Sequence, residues 1–264
     1  MTDASALATD LSDGILTVRL NRPESRNAQG PALWRDLAAI GRDLAPDVRA
    51  VVLCAEGPSF SAGLDRRMLT PEGIPGEGSM LEFAQMAPEE LDTLIATFQE
   101  AFTWWRRSRV VTVAAVQGHA VGAGFQLALG CDVMVVADDV QLAMKEPSLG
   151  LVPDLGGTLP LVEAVGYSRA LELVVSGRWV GAQEAVRIGL ALHAVPRDEL
   201  EASARQVAAS CATAAPGAVA ATKALLRDAL HPAGWGPAHD AQVADERAAQ
   251  GERIRELAAM FLPR

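Results

Sequence analysis

The sequence contains few cysteines, few aromatic residues and no long run of basic residues. Its three cysteines, Cys54, Cys131 and Cys211, stand alone among apolar neighbours, without a CxxC pair or a spacing that suits zinc. These absences exclude a disulfide framework and a zinc motif, and they predict free thiols in a reducing compartment. No metal site is expected, because the four histidines also lack metal-ligand spacing.

Charge and hydropathy exclude further classes of protein. The formal net charge is −10, so a nucleic acid would be repelled over most of the surface. A ligand with only a few phosphates stays compatible with local arginines. No window reaches the length and hydropathy of a membrane span, and the acidic first segment (MTDASALATDLSDG) lacks the apolar core of a signal peptide. We therefore expect a soluble, cytoplasmic protein without a nucleic-acid or membrane partner.

Half of the 264 residues are hydrophobic, which is enough for one large domain with a full core and a smaller appended part. The segment ILTVRL (15–20) predicts a short strand, and continuous apolar runs predict buried strands at 49–57 and 110–118. Periodicity predicts helices over 31–45 and 88–107. The segments DVMVVADD and VQLAMKE predict a pair of strands, and helical patterns dominate from about residue 155 onward. This order predicts an α/β fold with a helical C-terminal region.

Two glycine-containing turns follow buried strands and expose backbone N–H groups. The turn GAG (122–124) opens a helix, where the first N–H groups have no partner within the helix and the helix dipole favours an anion. The turn SAGLD (61–65) follows another strand, so N–H groups from both turns can converge on one carbonyl oxygen as an oxyanion hole. A dinucleotide fingerprint is a weaker alternative, because the third glycine is missing. The other alternative is that the glycines only permit a tight turn, and the local sequence does not distinguish this role from that of an oxyanion hole.

Four segments occur in an order and spacing similar to the enoyl-CoA hydratase/isomerase (crotonase) family. They are LNRPESRNA (20–28), SFSAGLD (59–65), VQGHAVGAGFQLALGCD (116–132) and EPSLGLVPDLGGTLPL (146–161). The resemblance implies a ClpP/crotonase-type spiral of ββα units over residues 1–195, and a C-terminal helical capping and trimerisation region over 196–264. It implies a homotrimer or a dimer of trimers. It also implies an acyl-CoA thioester as the ligand, with no separate cofactor because coenzyme A is part of the substrate.

The resemblance also assigns roles to individual positions. The oxyanion-hole donors would be the N–H groups of Ala62 and Ala123. Glu146 and Asp154 would be the catalytic acids. The residues that would contact the substrate are Arg26, Ala28, Ser61, Gly63, Leu64, Asp65, Gly122 and Gln126.

The pattern of acids favours isomerisation over hydration. Hydratases of the family hold a water molecule between two glutamates, and the positions that match them here are Gln126 and Glu146. A glutamine amide forms hydrogen bonds but does not take up a proton at neutral pH. Family isomerases with a single glutamate at the Glu146 position move one proton between carbons 2 and 4 of the acyl chain. We therefore expect an enoyl-CoA or dienoyl-CoA isomerase that works through a thioester enolate.

Asp154 widens the range of reactions. Dienoyl-CoA isomerases of the family resemble this sequence in having a glutamate and an aspartate eight residues apart, and ring-isomerising relatives carry the aspartate without the glutamate. Asp154 could instead cap the helix that follows it. A weak hydratase, a ring-isomerising enzyme and a non-catalytic acyl-CoA-binding protein stay open as alternatives.

Overall fold

The computed structural model describes residues 5–229, 231 and 234–261. The strands are β1 (Leu7–Ser12), β2 (Ile15–Leu20), β3 (Ala50–Ala55), β4 (Val111–Val116), β5 (His119–Val121), β6 (Val133–Ala137), β7 (Gln141–Ala143), β8 (Val180–Gly181) and β9 (His193–Val195). The α-helices are α1 (Pro31–Arg42), α2 (Met80–Ala84), α3 (Pro88–Arg107), α4 (Ala123–Gly130), α5 (Thr158–Val165), α6 (Tyr167–Ser176), α7 (Ala182–Arg187), α8 (Leu200–Ala212), α9 (Pro216–Asp228) and α10 (Trp235–Phe261).

The strands form two sheets that together make the predicted spiral of ββα units. The large sheet has the order β1-β2-β3-β4-β6-β9, and all of its pairs are parallel except the β1–β2 hairpin. The small sheet has the order β5-β7-β8. In the units β4-β5-α4 and β6-β7-α5, the first strand joins the large sheet and the second joins the small sheet. The segment around Ser61 adds to the small sheet through a single bridge to Ala120.

The continuous apolar runs arise because both faces of the large sheet are buried. In β3, Val51 and Leu53 belong to the main core, while Val52 and Cys54 belong to a second core. Alternate side chains of a strand point to opposite faces, so a strand that is covered on both sides shows no polar alternation. Helix α8 supplies the cover of the second face through its buried residues, which are Leu200, Ala204 and Ala208.

The helices after residue 195 pack on the core in different ways. Helix α8 lies on the large sheet, and α9 is attached by the buried Lys223, whose ammonium donates to the backbone oxygens of Trp105 and Val110 and pairs with Asp132 at 2.6 Å. Helix α10 contacts α2, α3 and α5. It lies beside the cavity described below. The predicted role of this region in trimerisation stays a prediction.

Most of the predicted elements are confirmed, and the exceptions concern pairing and short strands. Helix α3 covers the predicted span 88–107. The two segments expected to pair with each other are β6 and β7, but β6 pairs with β4 and β7 pairs with β5. The strands β8 and β9 lie in the region where helical patterns dominate. They are two and three residues long, which is too short for a periodic signal.

The thiols and the helices of the described residues give two further findings. All three cysteines are free, Cys54 and Cys131 are buried, and burial raises the pKa of Cys54 to about 12. Cys211 is half-buried. Within the described part of the chain, no helix combines the length and the apolar character that crossing a bilayer requires.

Candidate active site

A cavity of about 570 Å³ lies between the two glycine turns, the 146–155 segment and helix α10. Its lining includes residues of both turns, two arginines and the acids: Arg26, Ala62, Gly63, Leu64, Arg66, Gly122, Ala123, Gln126, Glu146 and Asp154. Its apolar walls include Trp34, Phe83, Ile95, Phe98, Leu155 and Ile254. The fold therefore brings both predicted turns and both predicted acids to one cavity.

The first turn offers the N–H of Leu64 and not that of Ala62. The Ala62 N–H donates to the backbone oxygen of Arg26 at 2.8 Å, so the expected role of Ala62 as an oxyanion-hole donor is wrong. Leu64 is bridged in parallel to Gln29, which uses the oxygen of Gly63 and the N–H of Asp65. In a parallel bridge the central residue's own N–H points the other way. Among the described residues, none accepts a hydrogen bond from the Leu64 N–H.

Gly63 is required for this arrangement. Its φ is +83°, a backbone conformation that residues other than glycine rarely adopt. A Cβ at this position would lie 2.3 Å from the backbone oxygen of Val121 and 3.6 Å from the nitrogen of Ala123. The glycine thus lets the first turn pack directly against the start of α4, and it brings Leu64 close to Ala123.

The second turn offers the N–H of Ala123 as predicted. Ala123 is the first residue of α4, and no described residue accepts a hydrogen bond from its N–H. The preceding Gly122 has φ +50°, and its own N–H donates to Ala143 of β7 at 2.9 Å. A free N–H at the start of a helix, together with the helix dipole, stabilises an anion or an oxygen that develops negative charge.

Glu146 lies over the second turn and is nearly buried. It begins a short 3-10 helix, Glu146–Leu149. Its Oε1 accepts a hydrogen bond from Gln126 Nε2 at 2.8 Å, while its buried Oε2 has no partner among the described residues. A Cβ at Gly122 would lie 3.0 Å from Oε1, so the glycine makes room for the carboxyl. Burial raises the pKa of Glu146, and the Gln126 hydrogen bond partly opposes this rise.

Asp154 faces the same cavity from the loop before α5. Its backbone oxygen accepts from Gln99 Nε2 at 2.7 Å, but no described side chain forms a hydrogen bond with its carboxyl group. Burial raises the pKa of Asp154 well above its usual value, and the nearby carboxyls of Glu246 and Glu146 raise it further. The alternative role of Asp154 as a helix cap is excluded, because the residue at the N-cap of α5 is Gly157.

The group that accepts hydrogen bonds from the backbone N–H groups at the start of α5 is the carboxyl of Glu246, a residue that the sequence patterns did not indicate. Its carboxyl accepts from the N–H of Gly156 at 2.6 Å and from the N–H of Thr158 at 3.2 Å. Burial raises the pKa of Glu246 to about 7. Its neighbours in α10 are Gln242, which donates to the Thr158 hydroxyl, and Gln250, which accepts from the Val152 N–H. These three polar residues recur every four positions, and that spacing is the signal that could have identified one helix face directed at the 152–158 loop.

Three of the expected substrate contacts do not reach the cavity. Ser61 is fully buried, and its hydroxyl donates to the Asn27 oxygen and accepts from Gln29 and from the N–H of Gly63. Asp65 is bound by the Arg67 guanidinium at 2.7 Å, which lowers its pKa. Both residues therefore support the first turn from behind. Ala28 is half-buried and lies outside the cavity wall.

The cavity opens at a rim that carries several cationic side chains. The exposed Arg26 and Arg66 line it, and neither forms an ion pair with a described residue. At another part of the rim, Lys145 Nζ lies 4.7 Å above the ring of Trp179, and the His119 ring meets the same ring edge-on at 5.4 Å. The apolar interior and the charged rim suit a ligand with an apolar and an anionic end.

Together these features define a crotonase-fold protein with a site that can polarise a carbonyl oxygen and move a proton beside it. A sequence model of the family described as "Enoyl-CoA hydratase/isomerase" matches residues 10–261. The chain belongs to the enoyl-CoA hydratase/isomerase family.

Individual relatives carry the names of more than one reaction. The Mycobacterium bovis protein echA8, assigned as an enoyl-CoA hydratase, is 32% identical over 219 residues, which are 82% of this chain and 78% of that protein. The human mitochondrial Delta(3,5)-Delta(2,4)-dienoyl-CoA isomerase is 32% identical over 228 residues, which are 84% of this chain and 68% of that protein. A Thermobifida fusca YX protein assigned as an enoyl-CoA hydratase, solved with acetoacetyl-CoA, has a TM-score of 0.82 and 42% identity, and the match covers 96% of each chain.

Proposed function

We propose that this protein is an acyl-CoA isomerase that shifts a carbon–carbon double bond through a thioester enolate. The observation that carries the proposal is that one acid, Glu146, and one amide, Gln126, face each other at the second turn. Glu146 presents one free carboxyl oxygen, while the position where a second water-binding acid would be needed holds the amide of Gln126. One acid is sufficient to move a proton between two carbons, whereas the addition of water uses two.

The thioester oxygen would lie between the N–H groups of Leu64 and Ala123. Two hydrogen bonds to this oxygen stabilise the negative charge that develops when the neighbouring carbon loses a proton, and each donor is typically worth about 3 kcal/mol of barrier. The same two donors stabilise the intermediate whichever carbon is later protonated. The hole therefore lowers the barrier of both proton transfers.

Glu146 would carry the proton. For a 3-enoyl-CoA, Oε2 removes a proton from C2, the electron pair delocalises into a dienolate, and the same carboxylic acid returns the proton to C4. The product is the 2-enoyl-CoA, so no atom is gained or lost. The raised pKa of Glu146, caused by burial, supports this role, because a more basic carboxylate holds the proton more firmly between its removal from C2 and its return to C4.

The rim and the interior indicate how the two ends of the substrate would bind. Arg26 and Arg66 are exposed and without a described ion-pair partner, so they can receive the phosphates of coenzyme A. The Thermobifida fusca structure was solved with acetoacetyl-CoA, which supports an acyl-CoA ligand here. The interior walls of Trp34, Phe83 and Phe98 favour an acyl chain without charge.

A dienoyl-CoA isomerase is the second candidate, and Asp154 is the observation that favours it. A free carboxyl in the same cavity as Glu146 provides a second proton site for a longer conjugated system. The name of the human relative agrees with this candidate, while the names of several other relatives favour hydration. A ring-isomerising enzyme and a non-catalytic acyl-CoA-binding protein are the remaining alternatives.

The test is an activity assay of the purified protein with three acyl-CoA substrates. We expect conversion of 3-enoyl-CoA or 3,5-dienoyl-CoA, followed by absorbance and mass spectrometry, and only slow hydration of crotonyl-CoA. Hydration of crotonyl-CoA as the fastest reaction would overturn the proposal. Tight binding of acyl-CoA with no conversion of any isomer would establish the binding protein instead.

A further inference from the structure

Gln126 is held in one orientation by hydrogen bonds at both ends of its amide. The backbone N–H of Leu155 donates to Gln126 Oε1 at 3.0 Å, and Gln126 Nε2 donates to Glu146 Oε1 at 2.8 Å. A backbone N–H is only a donor, so it fixes which end of the amide is the oxygen. The nitrogen end must then face Glu146.

The side chain of Gln126 has little room to move. It is 1% exposed, and it projects from α4, whose residues are all buried. A Cβ at Gly157 would lie 2.7 Å from Gln126 Cγ, so the loop before α5 packs directly against the stem of the side chain. Packing and hydrogen bonding thus hold the amide in the same place.

This arrangement divides the two oxygens of the Glu146 carboxyl. Oε1 is occupied by the amide, and Oε2 is buried with no partner among the described residues. We propose that Gln126 is a positioning residue for Glu146, which occupies Oε1 and so leaves Oε2 as the single atom that exchanges protons with the acyl chain. This inference rests on the proposed function in one respect, since it takes Glu146 as the proton carrier.

Few charged groups of the described residues lie near Glu146, so the effect of the Gln126 hydrogen bond on the pKa of Glu146 can be measured. Asp154 lines the same cavity, and Glu246 lies behind Asp154 at the start of α5. The rim cation Lys145 donates to the Gly177 oxygen, and no described cation forms an ion pair with Glu146. The other charged or titratable groups of the cavity wall are His119, Arg26 and Arg66. The Gln126 hydrogen bond is therefore the side-chain contact that opposes the burial-driven rise in the pKa of Glu146.

The decisive variant is Gln126→Met, which keeps a side chain of similar length and removes both hydrogen bonds. Gln117→Met is the matched control, because Gln117 is also a buried glutamine whose amide nitrogen donates hydrogen bonds, to the backbone oxygens of Ala55 and Gly57, but it lies outside the cavity. We expect Gln126→Met to lower kcat about tenfold or more with little change in the Kd of coenzyme A. Gln117→Met should leave kcat unchanged in the folded fraction.

The pH profile separates positioning from a merely structural role. The base works in its ionised form, so loss of the Gln126 hydrogen bond should move the acid limb of the kcat profile to higher pH. Gln117→Met should leave this limb in place. An unmoved limb and an unchanged kcat in Gln126→Met would overturn the proposal.

A measurement on the unsubstituted protein keeps the test independent of variant folding. The side-chain N–H resonances of Gln126, followed by 1H–15N NMR of the protein without substrate, should titrate with the same midpoint as the acid limb of the kcat/KM profile, because both report the free enzyme. This titration should vanish in Glu146→Gln. If the Gln126 resonances do not titrate, the amide is not bonded to the proton carrier and the proposal fails.

Hydrogen–deuterium exchange at C2 of a saturated acyl-CoA distinguishes this proposal from the proposed isomerisation. That exchange needs the oxyanion hole and the base, but no double bond. If no enoyl-CoA isomer is converted while C2 exchange still depends on Glu146 and Gln126, the isomerase assignment fails and the positioning role stands. If exchange depends on Glu146 but is unchanged in Gln126→Met, the positioning role alone fails.

Discussion

The two carboxyl groups in the cavity are held in opposite ways. Glu146 is fixed through its side chain, because Gln126 binds one of its oxygens, while Asp154 is fixed through its backbone oxygen, which Gln99 binds. The first arrangement sets the position of a proton-carrying atom. The second leaves the carboxyl of Asp154 without a side-chain hydrogen-bond partner among the described residues.

The electrostatic surroundings of the two acids also differ. Burial raises the pKa of both groups. A neutral amide partly offsets this effect at Glu146, whereas two further carboxyls, Glu246 and Glu146, add to it at Asp154. We therefore expect the region around Asp154 to hold the proton first and Glu146 to be the base. Two acids in one pocket with unequal surroundings are a common way to divide such roles.

The largest expected effect comes from removing the base. Glu146→Gln should leave the Kd of coenzyme A nearly unchanged and lower turnover about a hundredfold or more, or about 3 kcal/mol in barrier, for every substrate that is converted. Steady-state kinetics and a binding titration measure the two quantities. Glu184→Gln, which changes a half-buried glutamate that is paired with Arg178 outside the cavity, is the matched control.

Asp154→Asn should have a smaller and more selective effect. We expect turnover of a 3,5-dienoyl-CoA to fall about tenfold to a hundredfold, because a second proton site is lost, and turnover of a 3-enoyl-CoA to change little. Parallel assays with the two substrates give the ratio. Full activity of Glu146→Gln together with an inactive Asp154→Asn would reverse the assignment and favour the ring-isomerising pattern.

The pH dependence of stability should arise in part from Glu246, whose carboxyl lies near Asp154. The pKa of Glu246 is about 7 in the folded protein and 4.5 in its ordinary state, so the folded protein binds this proton more tightly. The resulting stabilisation is complete below about pH 4.5 and is lost as the pH rises through about 7. Relative to Glu246→Gln, the unsubstituted protein should therefore lose roughly 2 to 3 kcal/mol of unfolding free energy between pH 5 and pH 8.

Denaturant unfolding at both pH values measures this difference. Comparison with the variant is needed because burial lowers the pKa of His239 to about 4, which makes stability rise with pH over part of the same range. Both proteins share this opposing contribution, so it cancels in the difference. A difference that is constant between pH 5 and pH 8 would show that Glu246 does not titrate in this range.

The smallest expected effect is a gain. Gln126→Glu should raise hydration of 2-enoyl-CoA by about threefold, well below the effect of a fully placed general base. The gain is limited because one oxygen of the new carboxylate would accept from Leu155 and the other would face Glu146 Oε1, so the two acids must share a proton. Hydration assays with crotonyl-CoA measure it, and a fall in hydration would contradict the expectation.

Sequence patterns predicted the strands of the large sheet and the two turns because these features are local. The expectation for Ala62 shows the limit of such reasoning. Which N–H of SAGLD is free depends on a bridge to Gln29 and a bond to Arg26, which lie more than thirty positions earlier in the chain. The assignment of β6 and β7 to different sheets has the same origin, since their partners are distant strands.

The sequence by itself determined the α/β class, the glycines that permit the two turns, and the replacement of one expected acid by Gln126. Each of these depends on residue type and on spacing along a single segment. Tertiary structure alone decided that Leu64 faces the cavity, that Glu146 keeps one free oxygen, and that Glu246 from α10 binds the start of α5. Hydrogen bonds between remote segments and the exclusion of water on burial govern these outcomes, and neither can be read from local periodicity.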